Sequence, residues 1–293
     1  MDYILPYDED LTPIFQPNTP AHTRYYGMEI EICNIELGQE YVNDDGEAID
    51  ELYEYMDSDA KILIEACPVK SVAKADGSVG LGGFEIVTAP HTLDKYMGKL
   101  GGFTKKCREL GYSAWKNEKC GLHIHVNRNS LSKFQIAKIC GFIYYPNNYN
   151  FIRCIAQRHS SYAHFCDDRY MRAERIKQND GWSRYTAINL DNTNTVEFRM
   201  FRGSLLDLTI YKNLEFVDAI IKFTDICKAS YRDCLNHTAF LYFLKGCYKE
   251  YPHLIAFLIN ESEKSKYEDH QWTADVQNIF KFQVDTLKKS ANL

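Results

Sequence analysis

Glu29 and Glu31 stand two residues apart in the run GMEIEI, with Met28, Ile30 and Ile32 at the alternate positions. The same alternation recurs in GFEIVT around Glu85, in GLHIHV around His123 and His125, and in TVEFRMF around Glu197 and Arg199. Side chains at i and i+2 of a strand share a face, so each segment sets an apolar face against a face of ionisable groups. Taken alone, each also fits a half-exposed surface strand with solvated charges. Yet the polar positions are Glu, Glu, Glu, His, His, Glu and Arg, not the Thr/Ser/Lys mixture of a wetted sheet. Carboxylates gathered on one face repel one another unless a cation lies between them. Such a donor set suits a hard cation such as Mg²⁺ or Mn²⁺, which takes oxygen ligands.

Other metals fit less well. The H-x-H spacing is compatible with zinc, but no two of the ten cysteines are as close as C-x-x-C, and H-E-x-x-H is absent. A catalytic His–carboxylate zinc site or a two-metal hydrolase stays open as an alternative. Two hard cations beside an arginine point to a polyanion, of which ATP is the obvious one. Neither a Walker A pattern nor G-x-G-x-x-G occurs, and GSVGLGGF reads as a turn. Nucleotide phosphates would then be held by metals and arginines rather than by a helix N-terminus. No Ser/His/Asp or Cys–His arrangement has the local context for covalent catalysis. His159 and His164 read as structural, Asn189 and Asn192 as hairpin residues, and Ser204 as a helix cap.

The elements that must position these residues follow from periodicity. Residues 1–22 hold four of the eight prolines and read as an irregular arm. Strands are expected over 25–33 and FEIVTAP, in CGLHIHVNRNS, and as a hairpin over 183–202 with an Asp/Asn-rich turn. Residues 38–60 are acidic and read as a surface insertion; 61–67 read as a short strand or helical turn. Helices are expected over 92–111, with Gly101-Gly102 weakening the middle, over 131–145 behind a Ser cap, and over 150–170. From 206 to 293 the pattern is mainly helical. The fold class expected is α+β: an open, largely antiparallel curved sheet with the site on its concave polar face and helices on the other. Residues 23–293 form one domain.

The composition is that of a globular chain: 293 residues, 45% hydrophobic and 25% charged, with net charge −6. That charge argues against a general polyanion binder, and no Lys/Arg run resembles a nucleic-acid arm. No stretch of about 20 apolar residues could span a membrane. The N-terminus, MDYILPYDED, lacks the basic and apolar regions of a signal peptide. The scattered cysteines read as free thiols in a reducing compartment. A cytoplasmic protein is expected, without nucleic-acid or membrane partners and with its oligomeric state open.

The order of motifs, GMEIEI, then DGS with FEIVTAP, then GLHIHV, then RY–NL–NTNTVEFRMFRGSL, resembles the amidoligase family over about residues 24–206. That family groups carboxylate–amine ligases of the glutamine-synthetase-like fold, related to glutamine synthetases and glutamate–cysteine ligases, and is often found in phage or mobile elements. The resemblance implies an ADP-forming carbon–nitrogen ligase. ATP phosphorylates a small-molecule or peptide carboxylate, and an amine then displaces phosphate from the acyl phosphate. Carried over by position, Glu29 and Glu31 hold one ion each. Glu85 joins the ion of Glu31, with Asp76 as helper. His123 and Glu197 join the ion of Glu29. His125 contacts phosphate or ligand, Arg199 meets the transferring phosphoryl group, and Arg184 is a second phosphate contact. Arg158 and Arg202 are candidates for phosphate or substrate carboxylate, because the guanidinium fork suits both. Two alternatives stand beside this reading: a metal-dependent hydrolase or nuclease built on the same cluster, and a non-catalytic binding protein of the same fold.

Overall fold

A computed structural model describes residues 3–11, 23–158, 160, 161, 163–165, 185–226, 236–264 and 270–281. The fold is α+β, with a seven-stranded open sheet, mostly antiparallel, and a helical C-terminal part. The strands are β1 (Ile4–Leu5), β2 (Tyr26–Cys33), β3 (Ser71–Lys74), β4 (Gly83–Thr88), β5 (Gly121–Asn127), β6 (Ile188–Asn189) and β7 (Thr195–Arg202). Their order across the sheet is β1-β3-β4-β2-β5-β7-β6, and only the β1–β3 pairing is parallel. The helices are α1 (Ile35–Glu40), α2 (Asp50–Ala66), α3 (Gly101–Glu109), α4 (Lys133–Ile143), α5 (Tyr149–Ala156), α6 (Asp207–Ile226), α7 (His237–Gly246), α8 (Pro252–Ser262) and α9 (Gln271–Phe280).

The apolar face of the central strands anchors the sheet. Met28, Ile30, Ile32, Phe84, Ile86, Leu122, Ile124 and Phe198 are fully buried in one core with the helices. Each such side chain contributes about 1.5–3 kcal/mol by leaving water. Helix α6 lies on this side: the Phe216 ring meets Phe201 of β7 edge-on at 6.1 Å, and Asp218 accepts a 2.5 Å hydrogen bond from the Tyr26 hydroxyl of β2. Tyr251 also donates to Asp218, at 2.8 Å, and Arg24 and Lys222 pair with it. Nearly two turns earlier in α6, the buried Lys212 donates to the Ile155 carbonyl at the end of α5 and sits 4.5 Å over the Phe257 ring. Helix α4 is capped by Ser132, which accepts from Gln135 N–H. It is tied to α6 by Gln135 and Lys138, which donate to Ile221 and Thr224 carbonyls.

Four expectations change. The stretch 38–60 is not simply a surface insertion: from Asp50 it is the body of α2, with Leu52, Met56, Ala60 and Leu63 buried in one stripe. The acids between them occupy the wet side and mask the 3.6-residue period. The arm contributes a strand, β1, whose ladder to β3 is completed by Asp57 of α2 accepting from the backbone N–H groups of Tyr3 and Ile4. The helix expected over 92–111 is a short 3₁₀ turn followed by α3, separated at Gly98, whose φ of 73° no helix tolerates. The helix expected over 150–170 stops at Gln157, which is left-handed at φ 55° and pairs with Phe201; the rest of that range lies largely outside the described residues. The described cysteines are free thiols, most of them buried.

Candidate metal centre

Strand register gathers the ionisable residues. Glu29 lies opposite His123, Glu31 opposite Glu85, and His125 opposite Glu197, across the adjacent strands β4, β2, β5 and β7. Cross-strand neighbours share a face, so these side chains form one polar patch backed by the core.

They sort into two groups. Glu29, His125 and Glu197 each offer a ligand atom within 4.8 Å of the others, and so do Glu31, Asp76 and Glu85. Asp76 comes from the loop after β3, where its Oδ1 accepts from Ser78 N–H. His123 stands between the groups. Its Nδ1 is 3.0 Å from Glu29 and 3.5 Å from Glu197, and its Nε2 is 3.4 Å from Glu31. Both imidazoles thus lie beside Glu29 and Glu197, His123 through Nδ1 and His125 through Nε2. Both ring nitrogens of His123 are engaged, Nε2 also lying 3.3 Å from Arg158 Nη1. His125 is held from behind by Thr195, whose Oγ1 is 3.2 Å from Nδ1. Its Nε2 points into the group, 3.0 Å from Glu29 Oε1 and 3.9 Å from Glu197 Oε1. A buried nitrogen that faces two carboxylates and is oriented through its other nitrogen could hold a metal ion. The donor set of carboxylates and an imidazole fits Mg²⁺ or Mn²⁺.

The electrostatics agree with a site made for positive charge. Burial and the nearby Glu29, Asp76 and Glu31 push the Glu85 carboxyl well above its usual range; Lys74, opposite it on β3, offsets this only in part. Burial would also raise Glu29, but His125 and His123 outweigh it and hold that carboxyl well below the usual range. Burial works against charge on His125, yet Glu29 and Glu197 lift it to about 9. Two like charges 4 Å apart cost about 4 kcal/mol at an effective dielectric near 20, so a divalent cation in either group removes a sizeable repulsion.

The arginines differ in what they do. Arg199 Nη1 lies 2.5 Å from Glu197 Oε1, inside the patch. A bulge follows: Ile124 pairs with Phe198 but Leu122 with Phe201, so β7 carries one extra residue. The extra residue places Arg202 opposite Gly121, in the same row as His123 and His125. Arg202 is exposed at the rim, donating to the Trp115 carbonyl at 3.2 Å. Arg158 is buried. It donates to the Arg199 carbonyl at 2.9 Å and the Lys119 carbonyl at 3.0 Å, with Glu31 at 3.9 Å. Arg184 lies outside the described residues. Sequence reading passed over two contacts. Asn189, opposite Glu197 on β6, donates to its Oε2 at 2.8 Å, and the Gly121 N–H donates to Glu31. Pairing register is the signal for both, and register is not written in a single strand.

A scan against protein-family models finds no match, and a search of curated proteins finds none. Among solved structures, the chain is similar to the crystal structure of the complex between prokaryotic ubiquitin-like protein Pup and its ligase PafA. The identity is 10% and the TM-score 0.38, over 92% of this chain and 64% of that one. It is also similar to a novel glutamine synthase homolog, at 11% identity and TM-score 0.40, over 92% of this chain and 70% of that one. Neither likeness is close enough to carry a residue role or an activity to this chain.

Proposed function

We propose that this chain is an ATP-dependent carboxylate–amine ligase, forming an amide through an acyl phosphate and releasing ADP and phosphate. The observation that carries the reading is the pair of acidic groups, Glu29/His125/Glu197 and Glu31/Asp76/Glu85, side by side on one sheet face with Arg199 against Glu197. A carboxylate brought to a triphosphate meets like charge. Divalent cations, when bound, supply the neutralising charge for an in-line phosphoryl transfer.

The chain's own residues then have separate tasks. Glu29, His125 and Glu197 form one cation seat, and Glu31, Glu85 and Asp76 the other. His123, between them, fixes the side chains of both. Arg199 offers a guanidinium to the charge that develops on the transferring phosphoryl group. Arg202, at the rim, is placed to meet a phosphate or substrate carboxylate, and Arg184 keeps its proposed phosphate contact from the sequence resemblance. Arg158 is buried and gives two hydrogen bonds to backbone carbonyls, so its role is to carry positive charge beneath Glu31 rather than to touch ligand. The substrates are a small-molecule or peptide carboxylate and an amine. Among the described residues no helix is long and apolar enough to cross a membrane; a cytoplasmic setting remains part of the proposal.

The test is calorimetric titration of ATP into the protein with and without Mg²⁺, alongside Glu85→Ala. Binding that requires Mg²⁺ and is lost in the variant supports the ligase. Absence of binding, with metal-dependent cleavage of phosphodiester or peptide bonds in the same preparation, would replace it by a hydrolase that uses the same two groups.

A further inference from the structure

A cavity of ≈ 1100 Å³ opens between α2, β1 and the glycine-rich loop before β4. Leu52 and Met56 of α2, Ile4 and Leu5 of β1, and Leu81 give it an apolar wall; Tyr3 and Tyr53 add aryl faces. One end reaches Asp76, which also belongs to the second acidic group with Glu31 and Glu85. The cavity and the candidate metal centre thus share one residue.

Its charge is one-sided. Apart from Asp76 of the cation seat, the lining holds the carboxylates Glu54 and Asp57 against the single ammonium of Lys61. That lining opposes a triphosphate and favours a cation. A precedent sits at the rim, where the Lys61 ammonium rests 5.5 Å over the Tyr3 ring, as primary ammonium groups do on aryl faces. Size adds a further constraint. Ligand clefts run to about 300–1,000 Å³ for drug-sized molecules, so ammonia alone would leave this one almost empty.

Resting on the ligase reading, we infer that this cavity is the subsite of the amine substrate, and that the substrate is a primary amine on an apolar or aromatic body. The ammonium lies toward Glu54 and the body along Leu52, Met56 and Leu81. Leu81 and Tyr53 are well exposed, at 45% and 58%, so both can be changed without disturbing the core.

The experiment uses the full chain and three probes of one shape: tyramine, neutral 4-ethylphenol and anionic 3-(4-hydroxyphenyl)propionate. Each is titrated by ligand-observed NMR into wild type, Leu81→Arg and Glu54→Gln, with Mg-ATP binding measured on the same samples. Expected are binding of tyramine in clear preference to both analogues and at least tenfold weakening in Leu81→Arg. Several-fold weakening is expected in Glu54→Gln, with Mg-ATP affinity unchanged in both variants. Equal binding of 4-ethylphenol, or a Leu81→Arg protein that binds tyramine normally, would overturn the inference. So would competition between adenosine and tyramine with loss of Mg-ATP binding in Leu81→Arg, which would make the cavity the nucleotide's. Failure of wild type to bind Mg-ATP would overturn the ligase reading and the substrate role with it; the tyramine titration reads the cation preference of the cavity separately.

Discussion

Arg158 occupies the space that a side chain at position 121 would need: a Cβ built on Gly121 stands 2.1 Å from its Nη1 and 2.5 Å from Cζ. The guanidinium thus lies flat against the β5 backbone, where it reaches the Arg199 and Lys119 carbonyls and stays near Glu31. Gly121→Ala should expel it and leave buried charge and carbonyls without partners. The expected loss is about 3–5 kcal/mol, read as a lower urea midpoint. A loss of under about 1 kcal/mol, the scale of an ordinary substitution, would show that Arg158 can swing aside and is not needed there.

Glu197 meets both His125 and Arg199, so charge removal there separates binding from folding. Glu197→Gln should weaken Mg²⁺-dependent ATP binding while the urea midpoint stays near that of wild type. Normal Mg-ATP affinity in this variant would take Glu197 out of the cation seat.

Arg199→Ala should lower turnover more than ATP affinity, by on the order of 10² or more if the guanidinium acts on developing charge. Single-turnover kinetics of ADP formation make the comparison. An unchanged rate would remove Arg199 from the mechanism.

Lys212 gives a pH signature far from the site. Burial lowers its pKa to about 7, with Cys154 and Glu261 opposing the shift only weakly. In the unfolded chain the group holds its proton up to about 10.5. Between those values the unfolded state binds the extra proton, so stability rises with pH, by up to about 1.4 kcal/mol per unit. The contribution is least favourable below pH 7 and is recovered as pH climbs toward 10.5. Lys212→Met should flatten this slope and stabilise the protein most at neutral and lower pH. Denaturant unfolding of both proteins at a series of pH values gives the difference; parallel curves would mean that Lys212 keeps its proton in the folded state.

Asp218 joins strand to helix through four partners. Asp218→Asn should cost about 1–3 kcal/mol, because several buried partners lose a charged acceptor, whereas Tyr26→Phe should cost about 1 kcal/mol, a single hydrogen bond. Equal losses in chemical denaturation would place the whole effect in the tyrosine contact.

Alternation alone made Glu29, Glu31, Glu85, His123, His125 and Glu197 legible, because a period of two can be read within one strand. Their distances from one another were not legible, since these depend on register and on the contacts of Thr195 and Arg158. The β7 bulge was hidden for the same reason: FRMFR contains no glycine or proline to mark an extra residue. Helix α2 escaped because its acids outnumber its apolar stripe, and β1 because two residues carry no periodicity at all. Arg158 could be named from sequence but not located, as its position is set by a left-handed turn at Gln157.

Both outer strands of the sheet, β1 and β6, are two residues long. A long bare edge invites pairing with another chain, and short edges deny it a template. β1 is thus a plug for β3 as much as a strand. Removing β1 would uncover the Ser71–Lys74 ladder and offer it to a second chain.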